Sequence, residues 1–443
     1  MSDPRVTDAR ALALDVTIEV GRGARSDEAL ARALDASVLE GSDRGLATRL
    51  VYGTIARQRT LDHTIAARAG RAVEKIDAPV LAALRLGLFQ IAYLDRVPPY
   101  AAVSTSVDLV RRHARSATGF VNAVLRSVLR EGMAAPPENP PARRLGIECS
   151  APDWLVAMWT QELGAGETEK LLAASLEPAP TAYRALRERG ELLALLAESH
   201  IAAAPGRYGR RALTVAGEAR AVEGMLIPQG EASQLVVEML DPQPGQRVLD
   251  ACAAPGGKTA YIASMVGEQG SVTAVDDSPS MRSRIDATLR KSPPVSPVTI
   301  HPVSIEEFAD SYGGALFDAV LVDAPCSGLG TLRQHPEIRW RRSASDIRDL
   351  ANRQQRILQH AANLLRAGGR LLYSTCTISR VENDEVIEEF LRAQPSFERV
   401  ARHDLPAHLA ALCDVHGTLR TSPHRHGIDG FYAVALRKTQ AAG

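Results

Sequence analysis

Two hydrophobic periodicities divide the chain. Residues 1–130 repeat apolar side chains at the three- and four-residue spacing of amphipathic helices, as between Ala11 and Ile18. From residue 232 onward, short apolar runs alternate with helical segments. These runs predict strands over 246–252, 271–276, 298–302, 317–323, 369–375 and 430–436, with helices over 258–266, 279–291, 346–366 and 382–393. Alternation of this kind predicts a doubly wound, mostly parallel sheet with helices on both faces.

A proline-rich stretch separates the two patterns. Residues 136–141 contain four prolines in six positions, which excludes both a helix and a paired strand. We therefore predict a multidomain protein in three parts. They are an all-α domain over 1–135, a connecting α+β subdomain over 145–231, and an α/β Rossmann-like domain over 232–443 with a seven-stranded, mostly parallel sheet.

Composition narrows the possible environments and partners. The formal net charge is zero, so it indicates no general attraction to nucleic acid or membrane, although residues 1–150 carry a small excess of basic side chains. The chain begins without an apolar signal segment and contains no apolar run long enough to span a bilayer. Five cysteines lie far apart, without any C-x-x-C pair. We therefore expect reduced thiols, a cytoplasmic location, no membrane partner and no metal site.

The first predicted strand leads into a glycine-rich turn, Cys252-Ala253-Ala254-Pro255-Gly256-Gly257-Lys258. A Walker A loop requires glycine where Cys252 stands, and the G-x-G-x-x-G dinucleotide fingerprint is absent. The remaining interpretation is an S-adenosylmethionine site whose turn holds the methionine end. Asp276 ends the second strand, where a carboxylate accepts hydrogen bonds from ribose hydroxyls. The alternative for Asp276 is a strand-ending residue that caps the next helix.

Two further strands end in reactive side chains. Asp323 ends one strand and Cys326 follows it, whereas Cys376 comes directly after the next strand. A thiolate that adds to C6 of cytosine activates C5 towards an electrophilic methyl group, and a second group must then help to release the adduct. An acid such as Asp323 suits contact with N3 of the ring. The other interpretation is that both cysteines are small core residues.

These motifs together resemble a known family. Asp323-Ala-Pro-Cys326-Ser-Gly328, Ser374-Thr-Cys376 and Ala254-Pro-Gly-Gly-Lys258 resemble the RNA cytosine-5 methyltransferases related to Sun/Nop2. Leu84-Arg-Leu-Gly87 and Gly119-Phe-Val-Asn-Ala-Val-Leu-Arg126 are similar to the NusB-like domain that bacterial members carry. With Gln229-Gly-Glu-Ala-Ser233 and Asp429-Gly-Phe-Tyr432, the resemblance covers almost the whole chain.

The resemblance implies a role for each site residue. Cys376 is then the nucleophile, Cys326 assists release, and Asp323 lies near the base. The implied S-adenosylmethionine site consists of Cys252, Ala253, Ala254, Pro255, Gly256, Gly257, Lys258, Asp276, Ser304 and Asp323. The family usually has an acidic residue at the position of Ser304, where it contacts adenine. Either Ser304 makes this contact here, or Glu306 or Glu307 substitutes for it.

The resemblance also implies a substrate, small-subunit (16S) ribosomal RNA, and we expect a monomeric protein. The segment from Arg333 to Arg342 carries arginines around Trp340, a combination that suits phosphate contact and base stacking. The alternative is a solvated arginine face with a packed tryptophan. Two other functions stay open: a non-catalytic RNA-binding or antitermination-like factor, and a P-loop NTPase based on Gly257-Lys258-Thr259.

Overall fold

The structure, a computed structural model, describes residues 8–216, 222, 224–292 and 294–439. The chain divides into two compact units. The first comprises Met1–Pro178 and Leu332–Arg342, and the second comprises Ala179–Thr331 and Ser343–Gly443. The predicted boundaries 1–135, 145–231 and 232–443 include residues 1–7, 217–221, 223, 293 and 440–443, which lie outside the described residues, and the three-part division stays a prediction.

The described part of the first unit is helical, as the periodicity predicted. Helix α5 reads apolar on nearly all sides and lies at the centre, with Val80, Leu84 and Leu88 buried. It packs against α1, α3, α4, α6 and α7. The helices are α1 (Ala9–Gly21), α2 (Ser26–Ala36), α3 (Gly41–Ala56), α4 (Gln58–Ala69), α5 (Ala78–Tyr93), α6 (Pro99–His113), α7 (Thr118–Glu131), α8 (Pro141–Glu148), α9 (Asp153–Leu163), α10 (Ala165–Ala174) and α16 (Ile338–Arg341).

Helix α16 makes its contacts inside the first unit. The indole Nε1 of Trp340 donates to the carbonyl of Ile55 at 2.8 Å. Arg339 is fully buried, and its guanidinium donates to the carbonyls of Ser150 and Ser175. Burial lowers the pKa of Arg339 to about 10. Phosphate contact by Arg339 was therefore a wrong prediction, because this side chain is fully buried within the unit. RNA contact by the rest of the segment, including stacking on Trp340, stays a prediction.

The second unit begins with a small antiparallel sheet in the strand order β2-β3-β1-β4. Its strands are β1 (Ala182–Ala185), β2 (Ala203–Pro205), β3 (Ala212–Val215) and β4 (Leu226–Pro228). Helix α11 (Arg189–Glu198) buries Leu192 and Leu196 in the same apolar cluster as Leu213. Strands of three or four residues are too short to show a clear alternation of apolar and polar side chains. The sequence of this segment therefore predicted only a mixture of helix and strand.

The large sheet of the second unit confirms the predicted fold class. Its path is β10-β12-β9-β8-β5-β6-β7, with β11 beside β12; β7, β6, β5, β8 and β9 run parallel and β12 antiparallel to β9. The strands are β5 (Arg247–Asp250), β6 (Ser271–Val275), β7 (Val298–His301), β8 (Phe317–Asp323), β9 (Leu365–Thr375), β10 (Phe397–Arg399), β11 (Leu419–Arg420) and β12 (Tyr432–Lys438). The accompanying helices are α12 (Glu231–Leu240), α13 (Gly257–Val266), α14 (Met281–Lys291), α15 (Ile305–Ser311), α17 (Ala344–Asn363), α18 (Asp384–Ala393) and α19 (Pro423–His426).

Alternate residues of the central strands enter different apolar cores. In β8, Leu321 packs with residues of α12 and α13, whereas Val320 and Val322 pack with residues of α15, α17 and α18. In β9, Leu372 packs in the same core as Leu321, whereas Tyr373 packs in the core that contains Val320 and Val322. The sheet is therefore covered on both faces, which accounts for the continuous apolar runs that predicted buried parallel strands. Within the described residues, no helix has the length and apolar character needed to span a membrane.

We expect Trp340→Ala to lower the free energy of unfolding by about 2–4 kcal/mol, because it removes a packed ring and the bond to Ile55. Trp340→Phe keeps most of the packing and should lower the free energy of unfolding by less than Trp340→Ala does. Chemical denaturation of both variants measures the difference. A Trp340→Ala variant as stable as the parent would contradict the packed position.

Candidate active site

The pairing of β8 with β9 brings the two predicted cysteines together. Asp323 and Ser374 are register partners, and the amide of Ala324 donates to the carbonyl of Ser374 at 2.9 Å. Because β8 and β9 are parallel, the segments that follow them leave the sheet at the same edge. The sulfur atoms of Cys326 and Cys376 lie 3.4 Å apart, at hydrogen-bond distance for two thiols. Neither side chain is fully buried in a core, so the arrangement favours a reactive pair over two packing residues.

Asp323 lies beside this pair and is held from two sides. Lys258 Nζ donates to its Oδ2 at 2.6 Å, and Ser374 Oγ donates to its Oδ1 at 2.8 Å. Burial disfavours the charge on Lys258, but the carboxylate of Asp323 outweighs it and raises the pKa of Lys258. The ion pair thus joins the helix that starts at Gly257 to the end of β8.

The two thiols are electrostatically different. The hydrogen bond with Cys376, followed by burial, raises the pKa of Cys326 well above its ordinary value. Cys326 therefore stays a protonated donor at neutral pH. The ammonium of Lys258 interacts with the sulfur of Cys376, which lies at hydrogen-bond distance from Cys326.

The glycine turn between β5 and α13 has the form of an anion-binding loop. Gly256 adopts the left-handed conformation at φ 97°, and a Cβ there would lie 3.1 Å from the Cα of Ile285. The first intrahelical bond of α13 runs from the amide of Ala260 to the carbonyl of Gly256. The amides of the first turn before it point out of the helix end, where the helix dipole favours negative charge.

Asp276 ties the second strand to this turn. Its Oδ2 accepts from the amide of Ala254 and its Oδ1 from the amide of Ser278, both at 2.9 Å. Each carboxylate oxygen has a second lone pair, so the residue keeps acceptors for a ligand. Ser280, not Asp276, is the N-cap of α14.

Ser304 has a local structural role. It is the N-cap of α15, where its hydroxyl accepts from the amide of Glu307 and the Glu307 carboxylate accepts from the amide of Ser304. The capping box occupies both side chains. An adenine contact by Ser304, or by Glu306 or Glu307 in its place, stays a prediction.

The remaining predicted turn residues support the loop from within. Ala253 is buried and its amide donates to the carbonyl of Val275 at 3.0 Å. The carbonyl of Pro255 accepts from the hydroxyl of Thr288 at 2.7 Å. Burial, together with Asp276, raises the pKa of Cys252 well above its ordinary value, so this thiol stays neutral.

Sequence reasoning missed Glu382, which joins the two cysteine loops. This carboxylate is fully buried, and it accepts from the amide of Ser327 at 2.7 Å and from its hydroxyl at 2.6 Å. Gln354 Nε2 also donates to Glu382 and to the carbonyl of Pro325. Burial raises the pKa of Glu382, opposed by these hydrogen bonds. The only available signal was a carboxylate six residues beyond Cys376, where helix α18 begins shortly after.

Asp250 was missed as well. It ends β5, is fully buried, and accepts from the hydroxyl of Thr259 at 2.7 Å through Oδ2. Its Oδ1 is buried without a partner among the described atoms. Burial raises its pKa to about 7, with Asp323 contributing in the same direction. The raised pKa of Asp250 is consistent with its place near two other carboxylates, Asp276 and Asp323.

Both parts of the chain match known protein families. Residues 237–437 match the family described as 16S rRNA methyltransferase RsmB/F, and residues 7–130 match the NusB family. The probable ribosomal RNA small subunit methyltransferase B of Bacillus subtilis (strain 168) is 34% identical over 447 residues, covering 98% of this chain and 99% of that protein. Ribosomal RNA small subunit methyltransferase B of Thermus thermophilus is 34% identical over 439 residues, covering 99% of both.

Solved structures agree with this fold. PH0851 superposes with a TM-score of 0.82 at 26% identity, covering 99% of this chain and 100% of that one. NSun6 from Pyrococcus horikoshii with SFG superposes at a TM-score of 0.58 and 20% identity, covering 65% of this chain and 98% of that one. The second likeness concerns the fold alone.

Glu382→Ala should lower the free energy of unfolding by about 2–4 kcal/mol, because it removes a buried carboxylate that accepts from the amide and hydroxyl of Ser327 and from Gln354. Glu385→Ala, three residues further along and exposed, should cost less than about 1 kcal/mol. Urea denaturation compares the two. Equal losses in the two variants would show that the buried hydrogen bonds of Glu382 do not contribute to the free energy of unfolding.

Asp250 should make stability depend on pH. Its folded pKa of about 7 lies above that of an unfolded aspartate, so its contribution is full below the unfolded value and is lost as pH rises through 7. Between about pH 5 and about pH 8 the parent should lose roughly 2–3 kcal/mol more than Asp250→Asn, which keeps an acceptor for Thr259. Denaturation at both pH values tests this, and parallel losses in the two proteins would refute it.

Proposed function

Because this chain belongs to the 16S rRNA methyltransferase RsmB/F family, we propose that it transfers a methyl group from S-adenosylmethionine to C5 of a cytosine in small-subunit ribosomal RNA. The observation that carries the proposal is the pair of sulfur atoms 3.4 Å apart at one sheet edge, beside Asp323. A cytosine C5 methyltransferase requires one thiol to add to the ring and a second group to assist release. Amine methylation requires no such pair.

We assign the nucleophile to Cys376. Its sulfur lies 3.4 Å from that of Cys326 and interacts with the ammonium of Lys258. The Cys376 sulfur forms a bond to C6, and electron density moves to C5. After C5 has been methylated, its proton leaves, the bond to C6 breaks, and Cys376 recovers its electron pair. Cys326 releases its own proton to solvent, accepts the C5 proton as a thiolate, and so ends the cycle as the thiol from which it started.

We propose that Asp323 contacts the base. Lys258 and Ser374 fix both oxygens of its carboxylate, and its side chain keeps 25% of its surface exposed. A carboxyl group held in this way can contact the ring at N3 without rotating away. Stabilisation of the adduct at N3 would complement the attack at C6.

The residues of the turn fit the cofactor. The left-handed Gly256, the amino end of α13 and the carboxylate of Asp276 together offer a close backbone approach, amide donors and ribose acceptors. When bound, S-adenosylmethionine would supply an electrophilic methyl group on a sulfonium. A solved relative in fold, NSun6 from Pyrococcus horikoshii, contains the S-adenosylmethionine analogue SFG.

The two alternative functions have weaker support. A P-loop lysine reaches nucleotide phosphates, whereas Lys258 pairs with Asp323 at 2.6 Å. A non-catalytic RNA-binding or antitermination-like factor would not require paired thiols, and membership in a methyltransferase family argues against it. The expectation of a monomer stays a prediction.

The proposal is tested by trapping the adduct. Cys326→Ala protein, incubated with S-adenosylmethionine and protein-free small-subunit ribosomal RNA, should remain covalently joined to RNA on a denaturing gel, because addition proceeds and release is slowed. Cys326→Ala/Cys376→Ala should form no adduct.

The unmodified protein gives the control. It should methylate cytosine in the same RNA without accumulating an adduct, as bisulfite sequencing can report. Methylation by the unmodified protein with no adduct in Cys326→Ala would refute the assigned roles of the two cysteines. Methylation at another atom or base would refute the C5 reaction itself.

A further inference from the structure

A buried arginine in the second unit has no anionic partner. Arg184, on β1, is fully buried. Its Nε donates to Gln229 Oε1 at 2.6 Å, Nη2 lies 3.5 Å from the hydroxyl of Ser292, and the guanidinium carbon lies 4.6 Å from the centre of the Tyr261 ring. All three neighbours are neutral. Nη1 is buried without a hydrogen-bond partner, and among the described residues no carboxylate lies within ion-pair distance of Arg184.

An unpaired buried cation is costly to the fold. Burial lowers the pKa of Arg184 to about 10, so the group still carries its charge at neutral pH. Buried charges are ordinarily paired with an opposite charge, because desolvation otherwise costs several kcal/mol. A buried cation that lacks an anionic partner in the protein is a candidate for interaction with an anionic ligand, which would balance its charge.

Gln229 connects this charge to the glycine turn. Its Oε1 accepts from Arg184, which fixes the orientation of the amide, so Nε2 must point the other way. Gln229 is only 9% exposed, and Nε2 has no partner. This atom lies 3.7 Å from the position that a Cβ on Gly257 would occupy, at the first residue of α13. A free donor therefore faces the positive end of a helix.

We propose that Gln229 and the first amides of α13 bind the carboxylate at the methionyl end of S-adenosylmethionine, with Arg184 as a positioning residue behind Gln229. The inference rests on the proposed function. Gln229 Nε2 and the α13 amides contact the carboxylate, while Arg184 orients the amide and supplies the balancing charge. A carboxylate suits the site because amide donors and the helix end both favour an anion.

Binding measurements with two ligands test the proposal. Decarboxylated S-adenosylmethionine retains the adenosine, the sulfonium and the amine, and lacks only the carboxylate. By isothermal titration calorimetry, the unmodified protein should bind S-adenosylmethionine about tenfold to a hundredfold more tightly than the decarboxylated compound. Gln229→Leu and Arg184→Met should each reduce this ratio at least about fivefold, with the affinity for the decarboxylated compound nearly unchanged.

Two controls separate binding from folding. Arg187→Gln removes the same charge from an exposed position three residues away and should keep the full ratio. Without ligand, Arg184→Met should melt at the same temperature as the parent or higher, since it removes an unpaired buried charge. A purely structural arginine would instead be destabilising when replaced. If Arg184→Met does not fold, Gln229→Leu decides the question.

The outcomes distinguish the two proposals. If the unmodified protein binds neither compound, the proposed function fails. If it binds S-adenosylmethionine and both variants keep the parent ratio, the carboxylate site is wrong while the function stands. Equal weakening of both compounds in the variants would also overturn the site, because it indicates general damage to the turn.

Discussion

The parallel register of β8 with β9 is the constraint on which the site depends. Asp323 lies opposite Ser374, and the chains that follow deliver Cys326 and Cys376 to within 3.4 Å. A slip of one residue would turn the hydroxyl of Ser374 away from Asp323 and exchange the side chains that enter the two apolar cores. Core packing therefore holds the register, and the register sets the distance between the sulfur atoms.

Charge is distributed unevenly around that edge. Lys258 pairs with Asp323 directly, at 2.6 Å, although the Asp323 side chain keeps 25% of its surface exposed. Burial, with a contribution from Asp323, raises the pKa of the nearby Asp250. Arg184 keeps its charge although its hydrogen-bond partners, Gln229 and Ser292, are neutral. The site thus combines an internal ion pair, an acid of raised pKa and a buried cation without an anionic partner, and that cation leaves a positive charge for a ligand to balance.

Part of this could be predicted from the sequence, because local patterns carry it. The apolar run predicted as a strand over 317–323 is β8, Phe317–Asp323. The glycine turn also lies between a strand and a helix, as its residue types required. The segment around Trp340 shows where this reasoning fails. Arginines beside a tryptophan have the same pattern whether they face RNA or bury their donors against carbonyls, as Arg339 does.

The sequence by itself determined the fold class, the strand ends that carry Asp323, Cys326 and Cys376, and the turn before α13, since each depends on neighbours along the chain. Only the tertiary structure decided that Glu382 joins the cysteine loops and that Arg184 lies buried beside Gln229. These contacts span tens of residues in sequence. Burial and pairing are properties of the packed chain, and no local pattern of residue types encodes which distant side chain will balance a buried charge.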